Sequence, residues 1–168
     1  MPRMNSSASP HAIWRATLSA GLLAGACDIL SVILFYRVRG VSAERILHSV
    51  AAGALGREAA RDGGIATAAL GLGLHFVIAF AFAGFFCVVA SRRPRLLKAP
   101  LLIGPVYGAL VWLVMQRVVL PLSAVPPPSF PPPDWVPAFI AHLLFVGPPI
   151  VFRARRWLRP TNDAAPST

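Results

Sequence analysis

The stretch from Gly63 to Arg93 decides the fold, and it reads GGIATAALGLGLHFVIAFAFAGFFCVVASRR. Its interior contains one basic residue, His75, and no acidic residue. Because an apolar run of about 18 or more residues is long enough to cross the hydrocarbon core of a bilayer, this stretch predicts a membrane-spanning helix. Arg92 and Arg93 mark its end.

The composition of the whole chain agrees with a membrane protein. Of its 168 residues, 56% are hydrophobic and only 13% are charged, and the mean hydropathy is +0.65. These values exclude an ordinary soluble domain and predict one membrane domain over residues 15–157. The formal net charge is +10, but no aromatic-rich basic stretch accompanies it. We therefore expect the partners to be the lipid bilayer and its anionic headgroups, with no nucleic acid bound.

Three further apolar runs repeat the pattern of the Gly63–Arg93 stretch. The sequence therefore predicts an all-α fold with four membrane spans, at about 16–36, 64–90, 101–120 and 136–152. Between the first two spans, apolar residues fall on one helical face, which predicts an amphipathic helix at the membrane interface over about 42–62. This helix could serve as a plain connector or as a functional gate. We expect residues 1–14 and 158–168 to be disordered, and the proline-rich loop 121–135 to be a semi-rigid external segment.

The basic residues predict the orientation of the spans. The segments RRPRLLK (92–98) and RARRWLR (153–159) follow the second and fourth spans, and short loops rich in Lys and Arg stay in the cytoplasm. Both termini are then cytoplasmic. The first external loop runs against this rule, because it contains five arginines that three acidic residues only partly offset: Arg37, Arg39, Arg45, Arg57 and Arg61, with Glu44, Glu58 and Asp62.

Three ionisable residues lie within about one helical turn of the middle of their spans, namely Asp28, His75 and His142. A charged group at this depth costs a few kcal/mol or more unless it faces protein and finds a partner. Small residues flank Asp28 and His75 at three- and four-residue spacing, so both are expected to point into helix interfaces, whereas Phe76, Phe80 and Phe85 are expected to face lipid. The predicted helix-packing positions are Gly21, Gly25, Gly71, Gly104 and Gly108.

Three hypotheses remain open for Asp28, His75 and His142. They could form a hydrogen-bonded cluster that stabilises helix packing. They could bind protons or ions within a transporter or channel, because intramembrane carboxylates and histidines are the usual relay groups. They could also bind a metal, but they come from separate helices and lack local ligand spacing, so no metal or cofactor is predicted.

Sequence motifs do not indicate an enzyme. The chain contains no GxSxG, no HExxH and no phosphate-binding glycine loop. Cys27 and Cys87 lie in different spans at depths that differ by about 12 Å, at about 1.5 Å of rise per residue. Because a disulfide requires Cα atoms within about 7 Å, both should be free thiols.

Four segments carry a resemblance to a known family. They are the glycine-rich first span with Asp28, ILHSVAAGALG (46–56), LGLHFVIAF (72–80), and the region from GPVYG (104–108) to VLPLS (119–123). Over about Ser19 to Phe152 the chain resembles a widespread family of uncharacterised bacterial four-helix inner-membrane proteins. The resemblance implies a multi-pass protein of the bacterial cytoplasmic membrane, and it implies no site residues.

The expected function is that of a small accessory or transport-related membrane protein with a polar cluster at the middle of the membrane. The alternatives are a structural or envelope-stress protein without a transport path, and a lipid-modifying enzyme that uses His75 and Asp28. Four short helices enclose little interior volume, which favours a homo-oligomer or a second membrane protein as partner.

Overall fold

The computed structural model describes residues 8–125 and 135–159, and all regular structure in these ranges is helical. Four helical segments are long and apolar enough to cross a membrane, Pro10–Arg37, Gly64–Arg92, Pro100–Val119 and Trp135–Leu158. This confirms the prediction of an all-helical chain with four such segments. The helices in chain order are α1 (Pro10–Arg37), α2 (Ala43–Leu55), α3 (Arg57–Asp62), α4 (Gly64–Arg92), α5 (Pro100–Val114), α6 (Trp135–Ala141) and α7 (Gly147–Leu158). Short turns accompany them: a 3₁₀ turn (Pro94–Leu97), and π-helical turns after α5 (Met115–Val119) and between α6 and α7 (His142–Val146).

Helix α1 begins at Pro10, whereas the sequence analysis places the first span at about residue 16 and a disordered lead over residues 1–14. The prediction of disorder is therefore wrong for residues 10–14. Residues 1–7 lie outside the described part of the chain. The hydroxyl of Ser9 accepts a hydrogen bond from the Ala12 amide, and Pro10 occupies the first turn. Both features are typical of helix starts, because they satisfy or remove amide donors that have no partner within the helix.

The fourth apolar segment is longer than predicted, since it continues past residue 152 to Leu158. Gly147, Pro148 and Pro149 lie within this segment, and a glycine beside two prolines is a pattern that favours an interrupted helix. In the structure, the π-helical turn His142–Val146 precedes them and Gly147 opens α7. A proline lacks an amide hydrogen and crowds the carbonyl four residues back, so the wider turn accommodates two prolines without ending the helix. Of the predicted loop 121–135 and tail 158–168, residues 126–134 and 160–168 lie outside the described ranges.

The single amphipathic helix predicted over 42–62 is two helices. Gly56 separates α2 from α3 with φ +82° and ψ 166°. This backbone conformation is essentially restricted to glycine, because a Cβ atom would be strained there. The chain therefore changes direction at Gly56, and α2 and α3 present separate faces.

Close contacts between helices depend on the absence of side chains. Helix α1 packs against α4 and α7, α7 packs against α5, and α2 lies against α4. All five predicted packing glycines lie at such contacts. An added methyl group would collide with a neighbouring helix at each of them. At Gly21 and Gly25 it would meet the rings of Phe80 and Phe76, respectively. At Gly71 it would meet the carbonyl of Leu47, at Gly104 it would meet Pro148, and at Gly108 it would meet the carbonyl of His142.

The prediction that Phe76 and Phe80 face lipid is wrong. Both rings pack into the groove that Gly21 and Gly25 leave on α1. A groove made by two glycines four residues apart accepts a bulky ring from the neighbouring helix, which the ring's position on its own helix does not reveal. Phe85, by contrast, is 61% exposed.

An apolar core closes one end of the bundle. We call this end the basic end, because α4 and α7 finish there in Arg92 and Leu158, next to the two basic segments of the sequence. Its buried side chains include Ala83, Cys87 and Ile150. Cys27 and Cys87 are free, as predicted. We call the opposite end, where α1 finishes and α4 begins, the α2 end.

Candidate functional site: a polar cavity between the helices

Asp28, His75 and His142 line one cavity of about 110 Å³. They reach it from α1, from α4 and from the π-helical turn before α7. The sequence places each residue near the middle of its own span, and the structure brings the three together. The other lining residues are almost all apolar: Ala24, Gly25, Val50, Ile78, Ala79, Phe82, Val111, Met115, Val146 and Ile150.

His75 connects α4 to α1. Its Nε2 lies 2.9 Å from the carbonyl oxygen of Gly25. Because a carbonyl oxygen only accepts, Nε2 carries the hydrogen and donates it, and Nδ1 of the neutral ring is then the atom that can take up a proton. The imidazole reaches the backbone of α1 at the residue where a missing side chain lets the two helices approach.

His142 is held within its own segment. Its Nδ1 lies 2.8 Å from the carbonyl oxygen of Ala138 and donates a hydrogen bond to it. The free nitrogen of the neutral ring is therefore Nε2, the reverse of the arrangement at His75. His142 opens the π-helical turn, and its backbone carbonyl lies against Gly108 of α5. Position and tautomer are thus both set by backbone contacts.

Asp28 is the polar residue of the cavity that lacks a partner. Its Oδ1 is buried and has no hydrogen bond within the described residues. The nearby Ser31 hydroxyl donates to the backbone carbonyl of Asp28, at 2.8 Å, and not to the carboxyl group. A buried carboxylate oxygen without a partner is unfavourable by about 1–3 kcal/mol. A bound proton, a water molecule or a cation would remove this cost.

Helix α2 borders the cavity at the α2 end. Val50 lines the cavity from above, while the backbone of Leu47 lies against Gly71 of α4. Further along, the Gly53 carbonyl accepts a hydrogen bond of 2.8 Å from the amide of Ala124, in the segment that follows α5. The helix therefore crosses the bundle from α4 towards α5. The sequence indicates Val50 as part of an apolar face, but not that this face covers the polar residues.

Gly147 is a packing residue that the sequence analysis missed. A methyl group there would collide with the carbonyl of Gly104, so α5 and α7 are in close backbone contact at this point. The sequence presents Gly147 only as a helix breaker beside two prolines. Its spacing of five residues from His142 could have suggested that it faces the same neighbour across the widened turn.

The cavity does not form a set of metal ligands. Within residues 8–125 and 135–159, no three His, Cys, Asp or Glu side chains are placed so that they could hold a metal ion together. Asp28, His75 and His142 share a cavity, but they do not converge on one point in it. The metal hypothesis therefore receives no support from the arrangement.

Comparison with known protein families, with curated proteins and with solved structures gives no match for this chain. The resemblance to a bacterial four-helix family stays a prediction from the sequence. The fold and the cavity define a class in physical terms, an all-helical chain with four apolar helices around a small polar site. Its function is inferred from that site.

Proposed function

We propose that this chain is a small multi-pass protein of the bacterial inner membrane, transport-related or accessory to transport, whose cavity binds and releases protons. Four helices of sufficient length and apolarity support membrane insertion. The family resemblance supports the bacterial inner membrane. We assign no enzymatic reaction and no cofactor to the cavity.

The observation that carries this proposal is the carboxyl group of Asp28 in an otherwise apolar bundle. Its Oδ1 is buried without a hydrogen bond from the described residues. A side chain that merely stabilised packing would be expected to have its oxygen atoms paired. A carboxyl group that gains and loses a proton instead needs a site with room for water, and the cavity supplies it.

The two histidines supply groups that can exchange protons with Asp28 through water. Each imidazole has one nitrogen tied to a backbone carbonyl, at 2.9 Å for His75 and 2.8 Å for His142. The other nitrogen of each ring remains available. A free imidazole nitrogen can accept and release a proton, so a carboxyl group and two imidazoles around one cavity can form a proton-binding site.

Access to this site differs between the two ends. The apolar core closes the bundle at the basic end, whereas at the other end α2 contributes Val50 to the lining of the cavity. In the proposed orientation the basic end is cytoplasmic and contacts anionic headgroups, so protons would enter from the outside beneath α2. Transfer across the membrane would require a second conformation in which the core at the basic end opens.

A structural protein without a transport path is the second candidate. The continuous apolar core at the basic end favours it, as does the hydrogen bond between His75 and the backbone of α1. In this case Asp28 and His75 would stabilise packing, and the cavity would exchange no protons with the outside.

Proton flux into liposomes separates the two candidates. Purified protein is reconstituted in vesicles containing a pH-sensitive dye, and a pH gradient is imposed in the presence of a potassium ionophore. We expect the wild type and a Cys27→Ala control to acidify the lumen, and Asp28→Asn to reduce the rate at least tenfold. Wild-type vesicles that acidify no faster than empty vesicles would contradict the transport role.

A double-mutant cycle tests the structural candidate directly. Thermal unfolding is followed in detergent for Asp28→Asn, His75→Gln and the double variant. If the pair stabilises packing, each single variant should lower the free energy of unfolding and the double variant should cost much less than the sum. Under the proton-binding proposal, Asp28→Asn should be neutral or stabilising, because it replaces an ionisable group in an apolar cavity by a neutral amide that is less costly to bury.

A further inference from the structure

A second polar site lies on the opposite side of α2, away from the proton cavity. Arg45, Arg57 and Arg61 line a surface pocket of about 250 Å³. The rest of its lining comes from His48, Ser49, Ala52 and Val125. Three guanidinium groups around one concave surface create a strongly positive site.

The convergence of these arginines follows from the two helix faces and the turn between them. On α2, Arg45, His48, Ser49 and Ala52 share one face, because they are spaced by three and four residues. On α3, Arg57 and Arg61 share a face for the same reason. Gly56, with φ +82°, joins the two helices so that both faces meet at the pocket.

The charges of this segment are separated by sign. Residues 42–64 contain three arginines and three acidic residues, yet none of these three acidic residues lines the pocket. Glu44 lies instead 3.9 Å from the ring of His48. Within the described part of the chain, none of the three guanidinium groups forms an ion pair with a carboxylate. The arginines are therefore available to an external anion.

We infer that this pocket binds a phosphate group, either of a phospholipid headgroup or of a free phosphate. Guanidinium groups recognise phosphate oxygens through paired, charge-assisted hydrogen bonds, and several of them around one pocket favour a phosphate over a monovalent halide. The pocket also accounts for three of the five arginines of the first loop, which the rule for basic loops leaves unexplained. A bound anion neutralises them on a side of the membrane where excess positive charge is disfavoured. The inference does not depend on the proton-binding role of Asp28.

Binding is measured by calorimetry on the purified protein in an uncharged detergent at low ionic strength. The probes are inorganic phosphate and a short-chain phosphatidylglycerol. The test variant is Arg45→Gln/Arg57→Gln/Arg61→Gln. The matched control, Arg37→Gln/Arg39→Gln/Arg117→Gln, removes the same charge from exposed arginines that do not line the pocket.

We expect the wild type and the control to bind with equal affinity and the pocket variant to bind at least tenfold more weakly. Binding of the lipid alone would identify a headgroup site, and binding of both probes would identify a site for phosphate in general. The inference would be overturned if neither probe bound the wild type, or if the pocket variant and the control bound equally well. Should the triple variant unfold, Arg61→Gln alone must weaken binding at least threefold.

Discussion

Single residues decide how closely the helices approach and which polar groups meet. Gly71 and Gly73 show this on one helix. A methyl group at Gly71 would collide with the backbone carbonyl of Leu47, whereas one at Gly73 would meet no atom of the described residues within 4 Å. A backbone atom cannot move aside as a flexible side chain can. The contact between α4 and α2 therefore depends on glycine at one of these positions and not at the other.

We predict that Gly71→Ala destabilises the protein by about 1–3 kcal/mol, because it pushes α2 away from α4. The measurement is thermal or denaturant unfolding in detergent, followed by circular dichroism. Gly73→Ala is the matched control. It should be neutral or stabilising by up to about 1 kcal/mol, since alanine is the better helix former. Equal effects of the two substitutions would contradict this account of the contact.

Among the elements, α2 has the most consequences for function. One face of it contributes Val50 to the lining of the cavity around Asp28, and the other contributes Arg45, His48 and Ser49 to the pocket lined by arginines. The pocket also needs α3, and the angle between the two helices depends on Gly56. Movement of α2 would therefore change the cover of the cavity and the geometry of the pocket together.

We predict that Gly56→Ala lowers the stability by about 1–3 kcal/mol, because a side chain is strained in this backbone conformation. It should also weaken phosphate binding, since Arg57 and Arg61 would no longer face Arg45. Unfolding and calorimetry on the same preparation measure both effects. At Gly53, in the last turn of α2, an added methyl would make only an ordinary contact of 3.7 Å with Ser123. Gly53→Ala should therefore change neither quantity, and a loss of phosphate binding there would count against the role given to Gly56.

The whole molecule is closed at one end and polar at the other. The apolar core fills the basic end, and the cavity and the phosphate pocket both lie towards the α2 end. At the basic end, the guanidinium of Arg159 donates to the carbonyl of Leu97 at 3.1 Å, and that of Arg15 lies 4.5 Å from the ring centre of Trp157. Arginines there take part in packing as well as in the predicted orientation.

We predict that α3 is external and that the turn between α4 and α5 is cytoplasmic. Cysteines are introduced as Ala59→Cys and Arg95→Cys, at exposed positions, in a Cys27→Ala/Cys87→Ala background. A membrane-impermeant maleimide should label Ala59→Cys in intact spheroplasts and should label Arg95→Cys only after the membrane is opened. Labelling of Arg95→Cys before permeabilisation would reverse the proposed topology.

The sequence by itself determined the number and type of the main elements. Apolar runs and their basic ends are local features, and the backbone inside a bilayer must satisfy its own hydrogen bonds, so a long apolar run has few structures open to it. The spacing of small residues in the same way indicated Gly21, Gly25, Gly71, Gly104 and Gly108 as positions of close approach.

Only the tertiary structure decided which faces meet. A helical pattern shows which residues share a face of one helix, but the opposing face is chosen by the fit of side chains between distant segments. For this reason Phe76 and Phe80 lie in the glycine groove of α1, and the π-helical turn before Gly147 keeps the last segment continuous. For the same reason Asp28, His75 and His142 share one cavity, and the arginines of α2 and α3 share one pocket.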